Sequence, residues 1–207
     1  MRRNILLSML FAILVLFPGP GSADQAPSKI AGLTLGEKIA NFVDLVQMET
    51  AMPIRYQEYL RVVQTGDLDG YKSGTVEFGD CLAPGRIVRI KLKYEDAEKK
   101  FFNELLKRFK KKFGEPDEWR GDPFHVIMAW KWSFRDKDNN SISLILQHSM
   151  DEEQKFGNSV KLTNTTFVEK ERLCYERKHP ESAESRKSKS TVKKKLTEAD
   201  YQRFIPE

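Results

Sequence analysis

The stretch His125-Val126-Ile127-Met128-Ala129-Trp130-Lys131-Trp132-Ser133-Phe134 packs two tryptophans, a phenylalanine and a histidine into ten residues. It reads either as an aromatic-lined pocket carrying a histidine or as the buried side of a sheet. Periodicity decides between them. Val126, Met128, Trp130, Trp132 and Phe134 are apolar, while Lys131, Ser133 and Arg135 alternate with them. A repeat of two is the signature of a strand with one buried face. The run 141–148 repeats it, with Ile142, Leu144 and Leu146 apolar and Ser141, Ser143 and Gln147 polar.

Residues directly opposite in an antiparallel ladder share a face, so even numbers must pair with even. A slip of one residue would expose one apolar set. A loop of Asp138, Asn139 and Asn140, with Asn140 left-handed, satisfies this parity. It would set Trp130 opposite His148 and Phe134 opposite Leu144. The same parity sends His125 and His148 to opposite faces, and His179, the third histidine, falls in the tail. Zinc sites need three or four converging ligands. The sequence therefore predicts no metal site, and the aromatic run is core.

Outward from this hairpin, further elements follow. Thr34-Leu35-Gly36-Glu37 has the spacing of a capping box, and Leu35, Ile39, Phe42, Val43 and Val46 recur at helical intervals before Pro53. These predict a first helix near 35–48. Strand-like runs occupy 56–64, 74–78 and 87–94. The last is the clearest, with Val88, Ile90, Leu92 and Tyr94 alternating with Arg89, Lys91 and Lys93. The second helix carries Phe101, Phe102, Leu105, Leu106, Phe109 and Phe113 on one stripe. Glu95, Asp96 and Glu98 at its start and Lys110, Lys111 and Lys112 at its end suit the helix dipole, and Gly114 suits its C-terminal cap. Three strand runs follow at 126–134, 141–148 and 159–168. The fold expected is α+β: two αβββ-like units forming a mainly antiparallel sheet of about six strands, with two helices packed on one face.

The ends bound the setting. Arg2 and Arg3 precede an uncharged, mostly apolar run of thirteen residues, 5–17, and Gly21-Ser22-Ala23 offers small residues before a cleavage point. This is the pattern of a secretory signal peptide over 1–23. The run is shorter than the roughly 20 residues a membrane-spanning helix needs. No cysteine stands at the cleavage point for a lipid anchor. Cleavage would leave 184 of 207 residues and lower the net charge from +5 to +3, because Arg2 and Arg3 are the only charges removed. The expectation is an exported protein, periplasmic or secreted, with a single domain over 24–177 and no transmembrane span in the mature chain. A basic mobile tail follows over 178–207. Its segment 186–195 holds six basic residues and no acid, and Thr197 fits the cap of a short terminal helix.

Cys81 and Cys174 are the only cysteines. In an oxidising compartment an isolated pair reads as a disulfide, closing a loop worth about 4–5 kcal/mol in the chain-entropy account. The alternative, a reactive or metal-binding thiol, has no CxxC motif or neighbouring histidine behind it.

No Gly-x-Ser-x-Gly, HExxH or phosphate-binding glycine loop occurs, and no cofactor is predicted. Gly32-Leu33-Thr34 leading into Glu37 resembles the opening of small envelope modules of the BamE type. That resemblance implies an α+β, non-enzymatic module. The functional expectation is a binding or envelope-assembly protein. Its candidate surface is a basic patch of Arg89, Lys91, Lys93, Lys131 and Arg135, suited to an acidic envelope partner: a protein, a lipid headgroup or a cell-wall polymer. Glu58 and Glu77 on neighbouring strands are the groups that would neutralise this row instead. Nucleic acid is not an expected partner. The competing expectation is a secreted hydrolase using Asp117, Glu118 and Asp122 as general acid and base.

Overall fold

The computed structural model describes residues 26–151, 157–180, 197–198 and 202. The predicted signal peptide, 1–23, and the basic stretch 186–195 lie outside the described residues.

Strands β1 (Lys29–Ile30) and β2 (Leu33–Thr34) form a small hairpin. The main sheet follows: β3 (Val46–Ile54), β4 (Gln57–Thr65), β5 (Tyr71–Gly79), β6 (Ile87–Tyr94), β7 (Glu118–Trp119), β8 (Ile127–Arg135), β9 (Ser141–Ser149) and β10 (Gly157–Asn164). Helix α1 (Lys99–Phe113) joins β6 to β7, and α2 (Thr165–Lys178) follows β10. The eight strands run β3-β4-β5-β6-β10-β9-β8-β7, each antiparallel to its neighbours. The molecule is thus α+β, built from two four-stranded meanders that meet at β6 and β10.

The helices lie on opposite faces, not on one as the sequence reading expects. Leu60 and Val63 differ by three positions within an unbroken stretch of the β4–β5 ladder, so their side chains leave opposite sides of the sheet. Val63 belongs to the large core with Val76, Ile90, Leu92, Trp132 and Leu146, where α1 inserts Phe102 and packs Phe101, Leu105 and Phe109. Leu60 belongs to a second cluster with Val88, against which α2 lays Phe167, Val168 and Tyr175. A two-fold axis relating antiparallel meanders would leave both helices on the same side. The halves are therefore not rotated copies, and neither is an αβββ unit.

The predicted first helix does not form. Gly36 adopts a positive φ of 83°, and the backbone around it is bonded elsewhere. Leu35 N–H donates to Ser28, Gly36 N–H to Ile87, and Ile87 N–H to Glu37. Only a short 3-10 turn, Ile39–Phe42, remains before β3. Beyond it the backbone is taken up by the ladder to β4, although Gln47, Met48, Glu49 and Ala51 are good helix formers, so tertiary pairing overrides local propensity. Conversely, the run 159–168 is not all strand. The Asn164 side chain accepts from Phe167 N–H at 3.0 Å, ending β10 and capping α2.

The hairpin that decides the fold keeps its parity but moves its register by two. Trp130 faces Leu146, Met128 faces His148, and Phe134 faces Ile142. The loop spans 136–140, with Asn139 rather than Asn140 left-handed at φ 59°. The reason is Asp136, whose carboxylate accepts from Asn140 N–H at 2.7 Å and Asn140 Nδ2 at 2.9 Å, closing a wider turn. Trp132 is 1% exposed and donates its indole N–H to Gly114 O at 2.8 Å, tying the end of α1 to the sheet. Replacing Trp132 by Ala should lower the unfolding free energy in urea by about 3–5 kcal/mol. The same change at Phe124, 87% exposed, should stay within about 0.5 kcal/mol.

Candidate partner-binding face

The face of the sheet opposite α1 is only partly covered. α2 crosses one end of it and is fastened twice. Cys174 is bonded to Cys81, with Cα atoms 5.9 Å apart, so the chain carries the disulfide and no free thiol. Three residues before Cys174, Glu171 is 1% exposed, and its carboxylate accepts from the amides of Cys81, Leu82 and Ala83 at 2.9, 2.8 and 2.8 Å. Its Oε1 stands 2.2 Å from where a Cβ on Gly79 would be, so glycine is required there. Three amide donors replace the water this buried charge has lost.

Beyond α2 the face is polar, and the register says which charges meet. Lys131 pairs with Ile145, Ile145 with Lys161, and Lys161 with Lys91, giving one row across β8, β9, β10 and β6. Arg89 and Lys93 flank Lys91 on the same face, opposite Thr163 and Ser159. Arg89, Lys91, Lys93 and Lys131 therefore do share a face. Arg135, opposite Ser141 at the end of β8, donates to Asn139 O at 3.1 Å.

These charges differ in their partners. Arg89 is bonded to Glu77 at 2.5 Å, and Lys131 to Glu118 at 3.0 Å. Arg89 nevertheless keeps its Nε buried without an acceptor. Lys161 makes no hydrogen bond or ion pair among the described residues. Burial, then repulsion from Arg89 and Lys91, holds its ammonium below the ordinary lysine value, with Glu77 opposing and Arg120 adding to the shift. Lys161 is absent from the patch read off the sequence. Its signal was present: Val160 and Leu162 face the core, so the residue between them must face outward.

The loop carboxylates are arranged otherwise. Glu118 is held below the usual carboxylate range by hydrogen bonds from Arg120 and then Lys131. Asp122 is lowered chiefly by the Ile127 amide. Asp117 accepts from Ser133 N–H at 2.5 Å. These acids stitch β7 and its following loop onto β8. A general acid needs the opposite shift. His148 is buried beneath Phe102, with Nδ1 2.8 Å from Asn158 Oδ1, whereas His125 meets Trp119 edge-on. Among the described residues no three His, Cys, Asp or Glu side chains gather in a way that could hold a metal ion, and no helix is long and apolar enough to cross a membrane.

Comparison with protein-family models, with curated proteins and with solved structures finds no match.

Two stability measurements follow from this arrangement. Glu171→Gln brings amide hydrogens against three backbone donors and should cost about 2–4 kcal/mol by chemical denaturation. Lys161→Met should raise the melting temperature at neutral pH, because it removes a charge the folded state disfavours. The unfolded chain holds the Lys161 proton more tightly than the folded one, so wild-type stability rises with pH as the solution approaches the ordinary lysine value of 10.5. The gap between variant and wild type should narrow over that same interval.

Proposed function

We propose that the protein is an exported, non-enzymatic binding module whose open sheet face holds an acidic polypeptide segment. The observation that carries this reading is Lys161: a half-buried ammonium with no partner, directly opposite Lys91. Beside it Arg89 offers a buried Nε with no acceptor. A structure that places a positive charge at a stability cost, with no acid opposite it on either neighbouring strand and Glu77 already bonded to Arg89, has left room for an anion from outside. Export rests on the leader-like segment 1–23, and the Cys81–Cys174 disulfide is consistent with it.

A polypeptide suits the face better than a bilayer or a stiff polymer. Lys161 is half-buried on β10, between β6 and β9, so a flat headgroup layer meets the exposed Lys91 before it meets Lys161. An extended segment can turn a carboxylate side chain toward the sheet at each second residue. The reading as a carboxylate hydrolase draws no support from the exposed Glu118 or the partly buried Asp122, both held below the usual range.

The test uses a fluorescein-labelled octaglutamate peptide and anisotropy at low and high salt. Saturable binding that weakens with salt is expected. Lys161→Glu combined with Lys91→Glu should weaken it by about tenfold or more, as loss of charge-assisted bonds implies. Equal binding by wild type and double variant would overturn the proposal. So would binding to phosphatidylglycerol vesicles with none to the peptide.

A further inference from the structure

A cavity of about 430 Å³ opens where the first turn of α2 meets the 136–140 loop, lined from the α1-side core by Leu35 and Ile142 and from the α2 side by Phe167. Its walls are Pro27 and Ser28, the turn at Leu35–Glu37, the 136–140 loop of the central hairpin, and the first turn of α2. Ligand sites of small molecules begin at about 300 Å³, so the space suits something between an amino acid and a dipeptide.

The wall carries charges of both signs, Arg86 and Lys137 against Glu37, Asp136 and Asp138, and Lys137 acts on Asp136. The Arg86 guanidinium lies 5.0 Å over the Phe167 ring. Its Nε is buried without an acceptor, and Arg86 makes no side-chain hydrogen bond or ion pair among the described residues. Yet Glu37, Asp136 and Asp138 line the same cavity. Asp136 is committed to the loop: it accepts from Asn140 and, at 2.9 Å, from Asp138 N–H. Burial works against its ionisation, but the Asn140 side chain and the loop amides outweigh it and keep Asp136 ionised. Among the described residues the Glu37 carboxylate accepts only from Asn41 Nδ2, at a long 3.3 Å. The Asp138 carboxylate makes no hydrogen bond or ion pair among the described residues.

A guanidinium stacked on an aromatic ring, with its fork uncommitted, is a carboxylate receptor. The uncommitted Asp138 carboxylate on the 136–140 loop is a receptor for an ammonium, and the weakly bonded Glu37, on the segment paired beside Arg86, is a second acceptor. Leu35, Ile142 and Phe167 add an apolar surface between them. We propose that this cavity binds a zwitterion, namely a free α-amino acid or a dipeptide with an apolar side chain, its carboxylate on Arg86 and its ammonium toward Asp138 and Glu37. The site is separate from the sheet face, and either can fail without the other.

Calorimetric titration of the purified protein with L-leucine and with leucyl-leucine tests this, with leucinamide and 4-methylpentanoate as probes lacking one charge each. At least one of the two zwitterions should bind saturably, and both probes should bind about tenfold more weakly or worse, the loss expected for one charge-assisted contact. Arg86→Gln should abolish the preference for a free carboxylate. Asp138→Asn, at an exposed turn where folding is not at stake, should weaken L-leucine while leaving 4-methylpentanoate unchanged. Absence of saturable binding by both zwitterions up to about 10 mM, a concentration reaching far below the free energy of an ordinary ligand site, overturns the proposal. Equal affinity for L-leucine and 4-methylpentanoate overturns it as well, by showing a carboxylate site with no ammonium recognition.

Discussion

The ladder between β6 and β10 is the constraint on which the rest depends. Each half of the molecule is a meander whose strands are consecutive in sequence, and this is the ladder that joins the two meanders into one sheet, from Ser159 opposite Lys93 to Thr163 opposite Arg89. It brings Leu92 beside Val160 and Ile90 beside Leu162, so the core under α1 continues from one half into the other. The same register sets Lys91 against Lys161 on the other side. Like charges directly opposite in a ladder are destabilising. That repulsion is tolerated because the pairing is held by the apolar residues between them, and a shift by one would expose all four.

α2 is held by a different kind of interaction. Its apolar contacts are few, and Leu173 faces solvent at 45% exposure. What fixes it is the Glu171 carboxylate on three amides and, three residues later, the bond from Cys174 to Cys81. Both ties reach the loop between β5 and β6, and Gly79 lets the carboxylate approach. The helix is pinned over that end of the sheet. It neither slides across the polar face nor leaves it, and the row from Lys131 to Lys91 stays uncovered.

Much of this was legible in the sequence where a pattern of two was strong. Trp130, Trp132, Leu144 and Leu146 announce a buried face through alternation alone, and the disulfide follows from two cysteines and a leader-like segment. Alternation fixes which residues share a face but not the register, since a shift of two preserves parity; Asp136 closes a wider loop and decides it. The capping-box spacing at Thr34 failed because helix propensity is local, whereas Gly36 and Glu37 are bonded to Ile87, about fifty positions away. α2 was hidden by two threonines that read as strand. Its one clear local signal was Asn164, placed to cap Phe167. The face on which each helix lies is a long-range choice that no window of the sequence contains.

The pairing of charges on the open face argues that its centre is not a packing remainder. Arg89 and Lys131 each have an acid on a neighbouring strand, Glu77 and Glu118, facing the same way. Lys161 lies between them with Lys91 and Ile145 as its opposite neighbours and no acid in either position. With Arg89 and Lys131 paired to acids, the charge of the patch that no acid meets among the described residues is gathered at Lys161 and its neighbours Lys91 and Lys93. Exposed charges lose one another beyond a Debye length of about 8–10 Å, but a charge withdrawn from water is screened less. A single carboxylate placed beside Lys161 would relieve the Lys91–Lys161 repulsion on the same face as the buried Nε of Arg89, which a contact on Arg135, at the far end of β8, would not do.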